Sequence, residues 1–432
     1  MKFRKFIAAT VSTMLILTAF TGCNQKSASS EAPVKPSAPQ TSKLLNLTAE
    51  LTPNKIETVP DITVKSPAMT DFGVRLFKAC SKDGKNTLVS PLSVLSALAM
   101  TANGARGETL SQIEQLLGMP IDGLNTYIRS YTDSLPQSEK YHLNLANSVW
   151  FANDNPALTV KDSFLQKTVD YYGADIYKAP FKKASTLDDI NSWVNEKTEQ
   201  MIPEILSEIP ADMIMCLINA LAFEAEWVTP YDEDAVTPGT FTTESGESRE
   251  AEFMNGKVAK YIEDDKAVGF IKNYIDGKYA FAALLPNNGV TVAEYLKTLS
   301  GEKLNQLLSN ATNDDVYANI PKFETEYSIE MNNILKSLGM TEAFIPDKAD
   351  FSALGEVKNS NIFIGNVIHK TFIAVAEKGT RAGAATAVAV SSATSFNPVK
   401  PKHIRLDRPF IYMLIDCETD IPFFIGTLYD LK

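Results

Sequence analysis

The side chains best suited to chemistry are few and scattered. Three histidines, His142, His369 and His403, are the whole set. None lies beside a G-x-S-x-G elbow, an H-E-x-x-H pair or a phosphate-cradling glycine loop, so an enzyme built on those motifs is not expected. Cys80, Cys216 and Cys417 stand far apart beside apolar residues, with no C-x-x-C pairing. Buried free thiols are therefore expected rather than a zinc site or a disulfide framework, and no cofactor or metal is implied. The remaining candidate is a stretch of backbone. From Thr380 to Ala393 the chain reads TRAGAATAVAVSSA, a composition that by itself suggests a flexible loop. As a strand it would sort sharply: Thr380, Ala382, Ala384, Thr386, Val388 and Val390 on one face, Arg381, Gly383, Ala385, Ala387, Ala389 and Ser391 on the other. Only the second face carries a charge, so the first could enter a core without burying an ion.

The amino terminus is read separately from the fold. Lys2, Arg4 and Lys5 precede an apolar run over 6–20, and the small pair Thr21-Gly22 precedes Cys23, the layout of a secretory signal. The pattern is similar to the lipobox of bacterial lipoproteins, which implies a signal peptide over 1–22 and acylation of Cys23, with the folded part outside the cytoplasm and tied to a membrane. Residues 23–66, rich in Ser, Ala, Pro, Thr and Lys with Pro33, Pro36 and Pro39 close together, suit an extended tether. Loss of 1–22 removes three basic and no acidic side chains, moving the net charge from −11 to −14. That sign argues against nucleic acid as a partner.

Residues 67–432, which must position the loop, carry recurrent apolar segments with no second linker, and the 44% hydrophobic content of the 432-residue chain suffices for a large core. Helical spacing predicts helices over 70–81, 91–103 and 109–117, where Leu110, Ile113, Leu116 and Leu117 recur before Gly118. Strands are expected over 147–151, 213–223, 279–285, 317–320, 361–364, 371–376, 410–416 and 423–428. The 213–223 run is apolar almost throughout, as in a strand covered on both faces, yet Asn219 interrupts it and must find partners. These elements make an α+β protein of helices and mainly antiparallel sheets.

The order of short segments resembles the serpin family over essentially all of 70–432. NTLVSPLSV at 86–94 is similar to the opening of the serpins' buried central helix, and MTANGARGET at 100–109 to the segment after it. ANSVWF at 146–151, INSWVN at 190–195, INALAF at 218–223 with Trp227, IPKF at 320–323, LGM at 338–340, ADFS at 349–352 and RPF at 408–410 continue the series. The most informative match runs from His369-Lys370 through EKGTRAGAAT at 377–386, which resembles the hinge leading into a serpin reactive-centre loop, here about 377–408.

That resemblance implies an inhibitor of serine proteases that is cleaved in its loop and then inserts the loop as a new strand in a sheet, a known case of strand addition and stored strain. Glu377, Gly379, Thr380, Ala382, Gly383, Ala384, Ala385 and Thr386 would form the hinge. Arg381, where the family commonly has Glu, falls on the face expected to remain in solvent. Some 14 residues from Thr380 to Ala393, each gaining about 1 kcal/mol of net hydrogen bonding, could release on the order of ten kcal/mol. The uncleaved form would then be a kinetic trap. Ser90, Ser93, Asn219 and His369 correspond to a polar network beneath the separating strands, and Trp227 to the point where the loop first enters.

Family spacing from Glu377 selects Ala393-Thr394 as the scissile bond, with Ser392, Thr394 and Phe396 as alternatives for the residue before the cut. A small residue there points to elastase-like or subtilisin-like targets and away from trypsin-like ones. A monomer is expected. A solute-binding lipoprotein would share the anchor but show two α/β lobes. A non-inhibitory serpin acting as a carrier or binding module would typically place bulky or charged residues where Ala382, Ala384 and Ala385 stand.

Overall fold

The helix Pro91–Ala102 explains much of the architecture. Ser90 caps it by accepting the Ser93 N–H, Pro91 starts it, and all twelve of its residues are buried. A helix without a polar face must be enclosed on every side. The computed structural model describes residues 44–57, 66–135, 138, 140–153, 158–210, 213–358, 361–380 and 400–431, all within the compact unit Ser42–Lys432. Neighbouring helices Pro67–Cys80, Gly107–Leu117, Ile121–Asp133 and Asp162–Tyr172 gather round the central one. The central helix, Pro67–Cys80 and Gly107–Leu117 match the sequence expectations within a few residues.

Among the described residues the central sheet has seven strands, in the order Leu45–Asn46, Asp175–Ala179, Tyr141–Ala152, Met215–Glu226, Gly379–Thr380, Asn366–Val375 and Phe323–Glu330. Most neighbours are antiparallel; Tyr141–Ala152 with Asp175–Ala179, and Met215–Glu226 with Asn366–Val375, run parallel. A six-stranded sheet packs against it through rings of Phe223, Tyr279, Phe281 and Phe423. A four-stranded sheet ends in Lys402–Arg405, beyond the 381–399 segment. The α+β class holds. Met215–Glu226 is covered on both faces, as expected, by the central helix on one side and by Ala184–Lys197 with Trp193 and Val194 on the other.

Two expectations need correction. Residues 361–364 are not a strand, although Ile362 and Ile364 alternate inward and are buried. Their backbone is satisfied by loops: Ile364 N–H donates to Ala343 O, and the Asn361 amide donates to Pro346 O at 3.0 Å. The regular strand begins at Asn366 instead. Nor are residues 23–66 tether throughout. Leu45 and Asn46 pair with Lys178 and Tyr177 at the edge of the central sheet, Leu47 and Leu51 pack on the core, and the Asn54 N–H donates to Asp170 at 2.7 Å. The leucines spaced through an otherwise polar run are the signal for this in the sequence. Residues 1–43, including Cys23, lie outside the described residues.

Candidate functional site

Asn147, Asn219 and His369 stand in one row across three strands of the central sheet. They face the amino end of the central helix. The Asn219 amide donates to Asn147 Oδ1 and to Ser93 O, each at 2.5 Å, and its oxygen accepts the Ser93 hydroxyl. Asn147 in turn donates to Ser96 Oγ at 2.8 Å. The buried amide that breaks the apolar strand is thereby satisfied. His369 Nε2 accepts the Ser90 N–H at 3.0 Å, so the neutral ring carries its proton on Nδ1. Complete burial lowers its pKa to about 3, because a charged imidazolium would be stranded from water. Ser90, Ser93, Asn219 and His369 thus converge on the helix cap as expected. Asn147 and Ser96 belong to the same network without having been expected there, although Asn147 interrupts its apolar strand just as Asn219 does.

Above this row the sheet is forked. Met215–Glu226 and Asn366–Val375 pair directly only from Cys216↔Asn366 to Ala220↔Lys370. Higher up, Gly379 and Thr380 already lie between them, opposite Glu226 and Ala225 on one side, with Thr380 opposite Val375 on the other. That leaves 221–224 and 371–374 with facing edges that share no ladder. Gly379 is required where it sits: a Cβ there would lie 1.9 Å from Ala225 O and 2.8 Å from the Glu226 Cα. Thr380 is buried and its hydroxyl bonds Tyr274 Oη, consistent with its assignment to the face that can enter a core.

Trp227 holds the base of the hinge from below. Its N–H donates to Lys378 O at 2.8 Å and its indole Nε1–H to Ala376 O at 2.9 Å, while the Tyr231 N–H donates to Glu377 O at 2.9 Å. The Trp227 ring stacks on Tyr274 with centroids 4.4 Å apart. Glu377 pairs with Lys322 at 2.7 Å, and Lys322 also reaches Glu252 at 2.9 Å. Burial alone would raise the Glu377 pKa, but the Lys322 ammonium bonded to it brings the carboxyl below its ordinary value. The hydrogen bond to Glu377 raises Lys322 correspondingly. Lys322, Tyr231 and Tyr274 carry no role readable from sequence, since nothing in their local spacing places them under residues 376–380.

Glu377, Gly379, Thr380 and Trp227 are therefore brought together. Ala382, Gly383, Ala384, Ala385, Thr386, Ala393 and Thr394 lie outside the described residues. Cys80 and Cys216 are buried free thiols, with pKa values pushed up to about 12 by burial, and Cys417 is half-buried.

The serpin family model, described as serine protease inhibitor, matches residues 67–431. The leukocyte elastase inhibitor of Xenopus laevis is 29% identical over 84% of this chain and 98% of its own length. The native crystal structure of the thermophilic serpin tengpin matches with a TM-score of 0.84 and 45% identity, covering 90% of this chain and all of that one. The latent form of tengpin matches at 0.75, with 44% identity and 88% and 100% coverage. The described conformation is thus nearer the native arrangement of that relative. With the forked sheet, the capped central helix and the hinge base in place, the chain belongs to the serpin family, whose members are generally inhibitors of serine proteases and not catalysts.

Proposed function

We propose that this serpin inhibits elastase-like or subtilisin-like serine proteases by offering its loop for cleavage and inserting the freed strand into the fork of the central sheet. The observation that carries the reading is the position of Gly379 and Thr380, already paired between Met215–Glu226 and Asn366–Val375. The register can be extended from there. Ala382 would meet Phe223 and Ile373, Ala384 would meet Leu221 and Thr371, and Thr386 would come between Asn219 and His369. All of these partners are buried, which suits the small uncharged side chains of that face. Arg381 would align with Glu224 and Ala374, positions that are only partly buried.

The proposed scissile bond is Ala393-Thr394, and the proposed anchor is acylated Cys23, holding the domain outside the cytoplasm on a membrane. The test is a denaturing gel of the mature protein mixed with an elastase-like or a subtilisin-like protease, with mass spectrometry of the released carboxy-terminal peptide. A denaturant-resistant complex and a peptide beginning at Thr394 are expected. Clean cleavage without complex across several such proteases would leave a non-inhibitory serpin acting as a carrier or binding module. The mass of the mature amino-terminal peptide tests the lipid: acyl chains on Cys23 are expected, and an unmodified cysteine there overturns the anchor.

A further inference from the structure

Lys272, on the strand Ala267–Asn273, is a buried cation directly under the hinge base. Its ammonium lies 5.2 Å from the Trp227 ring centroid and 4.3 Å from that of Tyr231. It donates to Thr229 O at 2.9 Å. No carboxylate lies within ion-pair distance of it among the described residues. An ammonium has three donors, and two ring faces with one carbonyl replace only part of its hydration. The residues it touches are those that hold the 376–379 turn: Trp227 through Lys378 O and Ala376 O, Tyr231 through Glu377 O.

We propose that Lys272 is a positioning residue for loop insertion, its buried ammonium loading the hinge base so that the 376–379 turn opens more readily when the lysine is protonated. The inference rests on the reading of the chain as an inserting inhibitor. Releasing the turn from Trp227 and Tyr231 admits water to a charge that lacks it; a neutral amine gains far less. Burial lowers the Lys272 pKa to about 7, so the load is complete below about pH 7 and fades as pH rises above it.

Other titratable groups lie in the hinge base and on the elements packed against its strand. Tyr231 and Tyr274 are raised by burial, and Glu377 is tied to Lys322. The adjoining strand Lys260–Glu263 carries Lys260, Tyr261 and Glu263, and Tyr279 lies on the other flanking strand. From the four-stranded sheet come Lys257, Lys402, His403 and Arg405, and Lys378 lies in the turn itself. His403 is exposed and stacked on Tyr317.

The experiment is hydrogen exchange of the Trp227 and Tyr231 amides, corrected for the intrinsic rate, between about pH 6 and about pH 8.5 in the wild type and in Lys272→Met. The opening equilibrium of the wild type should fall about thirtyfold over that interval if opening fully hydrates the ammonium, and at least about threefold if only partly. Lys272→Met should show little change across the interval and open less readily than the wild type throughout it. A wild type whose corrected protection is flat across the interval overturns the proposal without any variant. So does a Lys272→Met variant that keeps the wild-type slope. Exchange reads the turn whether or not a protease is trapped. A protein that shows the expected slope but forms no covalent complex therefore loses the inhibitor reading, not the opening effect; the reverse pair of results removes Lys272 alone.

Discussion

Asn219 and His369 stand opposite each other in the short parallel pairing at the base of the fork. They reach the same helix cap from two strands that loop insertion would drive apart: Asn219 through Ser93, His369 through the Ser90 N–H. The contact is therefore both a lock on the present sheet and the place where an inserted Thr386 would end up. A polar lock suits that role because its partners can be exchanged, whereas interdigitated apolar side chains would resist separation.

Replacing Asn219 by Ala should leave Asn147 Oδ1 and the Ser93 hydroxyl without their partners in a buried site. Each stranded group costs about 1–3 kcal/mol, so a total loss of about 2–6 kcal/mol is expected. Equilibrium denaturation in urea checks this, and a loss below about 1 kcal/mol would mean the network repairs itself.

Acid should weaken the native state through His369. Its folded pKa is about 3 against an ordinary value of 6.5, so between those values the unfolded chain binds the extra proton. Stability then falls as pH drops from about 6.5 toward 3, by at most about 1.4 kcal/mol per unit from this group. Urea midpoints measured over that range should slope less in His369→Gln than in the wild type. Equal slopes would assign the acid sensitivity elsewhere.

Gly379→Ala should prevent the hinge base from seating against Ala225 O. The backbone must move or the pairing must break, with an expected cost of about 1–3 kcal/mol. The melting temperature should drop by several degrees, and the Trp227 N–H, which donates to Lys378 O, should lose protection from exchange. An unchanged melting curve with unchanged protection would contradict the fit.

Ala384→Arg and Thr386→Arg place a charge on the face that would meet Leu221, Thr371, Asn219 and His369 on insertion. Uncleaved stability should change by no more than about 0.5 kcal/mol if these side chains are exposed before cleavage. After cleavage the charge opposes burial by several kcal/mol. Both variants are expected to be cut as substrates and to give little or no covalent complex on a denaturing gel. Arg381→Gln, on the opposite face, should trap protease as well as the wild type.

Much of the fold was legible because local pattern and tertiary burial agree. The helix over 91–102 is marked by Ser90, Pro91 and an uncharged run, and the strands Phe410–Asp416 and Pro422–Leu428 follow their apolar segments closely. Asn219 announced a buried polar site because an amide inside an apolar strand has to be satisfied. The chain alone could not decide who satisfies it. Asn147 lies 72 residues from Asn219, and Ser93 lies 126 away, separations at which partners are set by sheet register and not by spacing. The same holds at 361–364, where alternation and burial are present but the Ile364 N–H bonds Ala343 O and not a strand, and at 44–57, where a few leucines and Asn54 find a sheet edge and Asp170. Sequence determined which residues can be buried, which helix ends are capped, and that the 380–391 run has one face free of charge. Tertiary structure alone decided that Met215–Glu226 and Asn366–Val375 part above Ala220 and Lys370, that Gly379 and Thr380 occupy the gap, and that Lys272 lies beneath them with no counter-ion among the described residues, because each depends on strands brought together from distant parts of the chain.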